Sequence, residues 1–154
     1  MLKKCLHPFL LLAFSLFLHT GCKDFNKIVK STDYEFKYKK AVEYYNAGEY
    51  ARAGTLFQEL IGIYRGTSKA DEIYYYYAKS MMGQKDYLMA GQYFRTLIKE
   101  YPVSKYIEES QFMAGYCEYL QSPKVRLDQE VTRKAIDALQ LYVKIGRASC
   151  RERV

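Results

Sequence analysis

The chain has 154 residues, 49% of them hydrophobic and 27% charged, the size and make-up of a single globular domain. Its formal charge of +7 comes largely from the two ends. Setting aside Lys3, Lys4, Arg147, Arg151, Arg153 and Glu152 leaves 19 basic against 16 acidic residues, too even a balance for electrostatic recognition of nucleic acid. Its 2 histidines, His7 and His19, both precede Cys22, so the rest of the chain has no imidazole for acid–base catalysis, nucleophile activation or most metal sites.

Residues 1–21 carry Lys3 and Lys4, then an apolar run from Pro8 to Leu18, then small residues. The run is too short to span a bilayer and sits at the extreme N-terminus, which predicts an export signal. The signal ends in "HTGC" and resembles a bacterial lipoprotein signal, in which the cysteine becomes the acylated first residue. Cys22 is therefore the expected lipidation site. His19 stands where such signals usually carry leucine, and Leu18 lies one place further back. The plainer reading is an ordinary export signal followed by a chance cysteine. Acyl chains on Cys22 would anchor the chain firmly, at about 0.8 kcal/mol per buried methylene.

Residues 22–33 read as a polar linker, and from Tyr34 the pattern becomes strongly periodic. "AGTLFQELIGIY" (Ala53 to Tyr64) and "AGQYFRTLIKEY" (Ala90 to Tyr101) share Ala, Gly, Phe, Leu, Ile and Tyr at an offset of 37. The spacing of these residues marks one face of an α-helix. Upstream, "AGEY" and "QKDY" match as tight turns, and "YKKAVEYY" and "YYYAKSMM" are helical again, with Ala41 and Ala78 equivalent. Helix, turn, helix at this period predicts an all-α solenoid of antiparallel helix pairs. Small alanines let helices approach, Phe57, Phe94, Leu60 and Leu97 fill the space between them, and Pro102 helps end a helix.

A third unit is less regular. Its first helix is predicted from about Tyr106 to Leu120, with Phe112 and Gly115 matching Tyr75 and Ala78. Its second puts Ala135, Ile136 and Leu139 on the matching face, after a loop, "QSPKVRLDQEV", lengthened by about eight residues. Residues 34–144 thus form about three repeats. The last ten, "IGRASCRERV" (145–154), break the pattern abruptly and match the translation of a common sequencing adapter, which predicts a non-native tail and a natural chain continuing past Lys144.

Cys117 alone belongs to the fold, since Cys5 lies in the signal, Cys22 at its end and Cys150 in the tail; it reads as a buried helix residue. The acidic pairs Asp71–Glu72 and Glu108–Glu109 begin helices, where they complement the helix dipole. No catalytic site, cofactor or metal site is expected. All 17 tyrosines lie between Tyr34 and Tyr142, and there is no tryptophan. Tyrosine suits both a repeat core and a peptide-binding surface.

Gly48, Tyr50, Ala53 and Phe57, then Ala78, Tyr87, Ala90, Phe94 and Pro102, take the places that tetratricopeptide repeats use. With the lipoprotein signal, "YAKSMM", "LIKEYPVSKY" and Leu120, Gln121, Ser122, Pro123, Leu127, Asp128, Gln129, Thr132 and Ala135, the chain resembles the BamD family of outer-membrane protein assembly lipoproteins from Cys22 to Lys144. That family has about five repeats, of which three would be present. The resemblance implies a non-enzymatic scaffold on the periplasmic face of the outer membrane, anchored by its lipid. Its implied partners are the barrel-assembly outer-membrane protein, other assembly lipoproteins and unfolded outer-membrane substrates held as extended peptides in the repeat groove. Another tetratricopeptide lipoprotein adaptor, of pilus assembly or cell division, and the anchor part of a larger enzyme are the alternatives.

The run Tyr74–Tyr77 must divide between core and surface, because successive helix residues point about 100° apart. Tyr75 matches Tyr38 and Phe112, aromatic each time, which predicts core. Tyr74 matches Lys37 and Gln111, both polar, which predicts a solvent-reaching site. The general tetratricopeptide register gives the reverse, with Tyr74 inside and Tyr75 toward the groove; the recurrence within the chain is preferred here. Tyr74 and Tyr77, with Lys37 and Gln111, are the expected peptide-binding residues.

Overall fold

The computed structural model describes residues 21–122 and 129–152. Those residues form helices α1 (Gly21–Val29), α2 (Tyr34–Asn46), α3 (Tyr50–Tyr64), α4 (Ala70–Gly83), α5 (Tyr87–Glu100), α6 (Ile107–Gln121) and α7 (Glu130–Glu152), with no strand among them. From α2 onward each helix packs chiefly against the next, so α2–α3, α4–α5 and α6–α7 form three stacked pairs of a tetratricopeptide-like solenoid. The export signal, Leu127, Asp128 and most of the long third-unit loop lie outside the described residues.

The first two turns are built alike. Gly48 and Lys85, 37 residues apart, both take left-handed φ, 77° and 65°. The amides of Glu49 and Asp86 then return to the carbonyls of Tyr44 and Met81 at 2.9 and 3.0 Å, which closes the end of each first helix. Asp33 and Asp86 cap the helices that follow them, accepting from the amides of Phe36 and Met89.

Ala41, Ala53, Ala78 and Ala90 are fully buried, as are Phe57, Leu60, Phe94 and Leu97, so the core expected for the first two units is the observed one. A Cβ on Gly54 would lie 2.6 Å from the Met81 methyl, which shows how closely α4 approaches α3. Cys117 is buried and unpaired, and burial pushes its thiol up to about 11.

Three features differ from expectation. The polar linker contains α1, whose Phe25, Ile28 and Val29 at i, i+3 and i+4 pack on the first pair. Phe112 and Ile136 are 38% and 49% exposed, because the third pair has no further helix on its outer side among the described residues. The backbone stays helical from Glu130 through Ile145 to Glu152, so no break falls at Ile145; Arg147, Ala148, Arg151 and Glu152 all favour helix.

Candidate functional site

The first helices of the three pairs, α2, α4 and α6, share one face, and a repeating polar ladder crosses it. Glu35, Glu72 and Glu109 recur at the 37-residue offset, as do Tyr38, Tyr75 and Phe112. The phenols of Tyr38 and Tyr75 are pushed up by burial, and lie close enough to the carboxylates one repeat on, Glu72 and Glu109, to be pushed up by them too. The residue just before each following helix reaches back. Lys69 pairs with Glu35 at 2.6 Å, and the Tyr106 hydroxyl donates to Glu72 at 3.1 Å. Lys79 donates to Glu109 at 3.0 Å from the other side.

Aromatic rings fill the spaces between these contacts. Tyr75 stacks on Tyr106 with centroids 4.3 Å apart, Tyr76 stacks on Phe57 at 5.8 Å, and Tyr45 meets the Tyr76 ring edge-on. The ammonium of Lys69 sits over Tyr38, and that of Lys105 over Tyr106 at 4.8 Å. Beyond Tyr75 the ladder changes character, because Phe112 has no hydroxyl to hand on. Phe112, Tyr116 and Tyr119 instead form a stacked strip along α6, with Tyr119 59% exposed.

Burial, joined by the neighbouring carboxylates, pushes the phenols of Tyr38, Tyr75 and Tyr106 well above their ordinary value. They are neutral donors at physiological pH. Burial works against a charge on Glu109, but hydrogen bonds from Tyr75 and Lys79 outweigh it and hold the carboxyl below its ordinary value. Glu35, Glu72 and Glu109 are thus occupied as acceptors, from Lys69, Tyr106 and Lys79 respectively. Among the described residues no group of three His, Cys, Asp or Glu side chains could hold a metal ion.

The expected peptide-binding residues lie elsewhere. Tyr74 is 6% exposed, enclosed by Tyr93 and Tyr101, so its predicted solvent exposure is corrected. Tyr77 is buried edge-on to Tyr93 at 4.5 Å, with its phenol pushed up to about 12 chiefly by burial. Lys37 is fully buried and donates to the Val29 carbonyl at 2.8 Å and to Glu59 at 2.6 Å. Gln111 is half-buried, and its Oε1 has no hydrogen-bond partner.

Lys37, Tyr74 and Gln111 thus share one inward position, and their polarity misled. A lysine can bury its stem, and a tyrosine can bury its whole ring. The recurrence was right about Tyr75, which is 8% exposed and lies in the core, and wrong about Tyr74, which the general register had placed inside. The missed signal was the recurrence of Glu35, Glu72 and Glu109, which helix-dipole reasoning explained away one pair at a time.

Fold and face together define an all-α repeat protein whose first helices present an aromatic surface studded with bridged carboxylates. Among the described residues no helix is long and apolar enough to cross a membrane. The family model for YfiO, outer membrane lipoprotein, matches residues 31–145, and the chain belongs to that family. No significant match was found among curated proteins.

Proposed function

We propose that the protein is a lipid-anchored periplasmic scaffold of the outer-membrane β-barrel assembly machinery, of the BamD kind, acylated at Cys22 after removal of residues 1–21. The family match over residues 31–145 carries this reading. Its task is to receive unfolded barrel proteins as extended, aromatic-ended peptides along the face shared by α2, α4 and α6. Its partners are the barrel-assembly outer-membrane protein and its companion lipoproteins. The exposed rings of Phe112 and Tyr119 supply apolar area, and Lys105, which lies over the Tyr106 ring, supplies positive charge for a terminal carboxylate.

Tyr74, Tyr77 and Lys37 serve the core in this reading, and the peptide contacts fall to the ladder. The test is binding of a C-terminal peptide of an outer-membrane barrel protein, followed by anisotropy. Phe112→Ala with Tyr119→Ala should weaken binding about tenfold with little change in melting temperature. Full binding by the double variant would overturn the assignment of the face. Co-purification with the barrel-assembly subunit tests the partner, and precursor accumulation under globomycin tests acylation of Cys22.

A further inference from the structure

A second surface lies at the other end of the solenoid from Phe112 and Tyr119. In α2, Phe36, Lys40 and Glu43 hold the places of Ile73, Tyr77 and Ser80 in α4 and of Ser110, Ala114 and Cys117 in α6. All six of those later residues are buried, because α4 and α6 each pack against the pair before them. Ahead of α2 the described residues hold only α1, which packs through Phe25, Ile28 and Val29 and leaves Phe36 40% exposed. The Lys40 ammonium lies 5.9 Å from the centre of the Phe36 ring and 2.6 Å from Glu43. A groove of about 510 Å³ whose lining includes Lys27, Phe36 and Lys40 joins α1 and α2 into one continuous surface.

Charge sets this surface apart. Lys23, Lys27 and Lys30 recur in the sequence at i, i+4 and i+7, and Lys27 and Lys30 are exposed on the side of α1 away from its docked residues. Asp24 pairs with Lys27 at 3.3 Å, but both side chains are more than three-quarters exposed, so the pair opens at little cost. Any solenoid needs a polar end face for solubility, and acidic residues serve that need better than basic ones. Here lysines lead, with an exposed aromatic ring beside them and Cys22 in the same helix. Lys27 lies five residues from Cys22, about 8 Å along the helix axis and within one screening length of it.

We infer that this end of the solenoid rests on an anionic phospholipid surface, with Lys27, Lys30 and Lys40 against the phosphate headgroups and the Phe36 ring at the headgroup boundary. For its placement the inference rests on the proposed anchor at Cys22. The surplus of charge is too small to hold the protein on a membrane by itself, and large enough to orient a protein already held there.

The test supplies the anchor chemically and so does not depend on acylation in the cell. The chain from Cys22 onward, with Cys150→Ser, is coupled through Cys22 to vesicles bearing a maleimide lipid, Cys117 being buried. The chain has no tryptophan, so Phe36→Trp gives a single reporter, and a nitroxide on some of the headgroups quenches it at close range. Strong quenching is expected on vesicles of phosphatidylglycerol and phosphatidylcholine in equal parts. It should fall about threefold on phosphatidylcholine alone or in about 1 M salt, where screening shortens to about 3 Å. Lys27→Gln with Lys30→Gln should remove most of the difference between the two kinds of vesicle. Val103→Trp, at a place 98% exposed in a later repeat, should be quenched little on either.

Equal quenching of Phe36→Trp on the two kinds of vesicle, or quenching of Val103→Trp to the same extent, would overturn the inference. Should Phe36→Trp fail to fold, lysine acetylation read by mass spectrometry decides in the coupled chain without it. Slower labelling of Lys27 and Lys30 on anionic vesicles, with Lys99 and Lys105 unchanged, supports the surface, and uniform rates refute it. Globomycin tests acylation separately: a chain that no cell acylates would lose the proposed anchor, while the vesicle result would still stand or fall alone.

Discussion

Lys37 offers the sharpest test of how the first pair is held together. Replacing it with methionine keeps an unbranched stem in the buried channel and deletes only the ammonium. That group donates to the Val29 carbonyl at 2.8 Å, and so ties the end of α1 to α2, and to Glu59 at 2.6 Å. Glu59 keeps 41% of its side chain in water, so the ion pair itself contributes under about 1 kcal/mol. The charged hydrogen bond to Val29 contributes about 1.5–3 kcal/mol, offset in part because methionine needs no desolvation. Lys37→Met should therefore cost about 2 kcal/mol, a melting-temperature drop of roughly 6–10 °C followed by circular dichroism. Amide exchange should quicken in α1 (Gly21–Val29) well before α5 (Tyr87–Glu100). Glu59→Gln should cost less than about 1 kcal/mol. Equal losses from the two changes, or α1 amides unmoved by Lys37→Met, would refute this division between the two partners.

Tyr74→Ala and Tyr75→Ala should each cost about 3–5 kcal/mol in urea unfolding, because both rings are more than nine-tenths buried; a mild effect at Tyr74 would return it to the surface. Gly62→Ala should stabilise by about 0.5–1 kcal/mol, since a methyl there meets open space within α3, and thermal melts would show it. Gly83→Ala, whose methyl would run into the Tyr50 ring, should instead destabilise by about 1–3 kcal/mol. The raised phenols of Tyr38, Tyr75, Tyr77 and Tyr106 give stability that is complete below the unfolded tyrosine value near pH 10 and falls as pH rises through the folded values. Tyrosinate absorbance of these residues should therefore appear together with loss of helix above about pH 10; titration near pH 10 in a protein still fully helical would contradict it.

The repeat was legible because it is written in small and large apolar residues at a fixed offset. Ala41, Ala78, Phe57 and Phe94 report helix contacts that every copy of the unit must make. The inward position shared by Lys37, Tyr74 and Gln111 was not legible from polarity, because a long side chain can lead its polar atom to a carbonyl or a carboxylate across a buried path. α1 was hidden for a related reason: Phe25, Ile28 and Val29 are three apolar residues in a polar stretch, and only packing on the first pair makes them a helix face. The glutamate ladder was visible as letters. Its meaning depended on distances between α2, α4 and α6 that no single helix encodes.

The docked α1 also changes what a lipid on Cys22 would do. A free linker over residues 22–33 would let its far end wander on the order of 20 Å from the anchor, presenting the body in every orientation. Here Gly21–Val29 is helical, and the end of that helix is tied to Lys37. An anchor at Cys22 would then act as a bracket rather than a leash. A partner embedded in the same leaflet would meet the solenoid at one height and with one side forward. The search for a productive encounter would shrink from tumbling in three dimensions to sliding and turning in two.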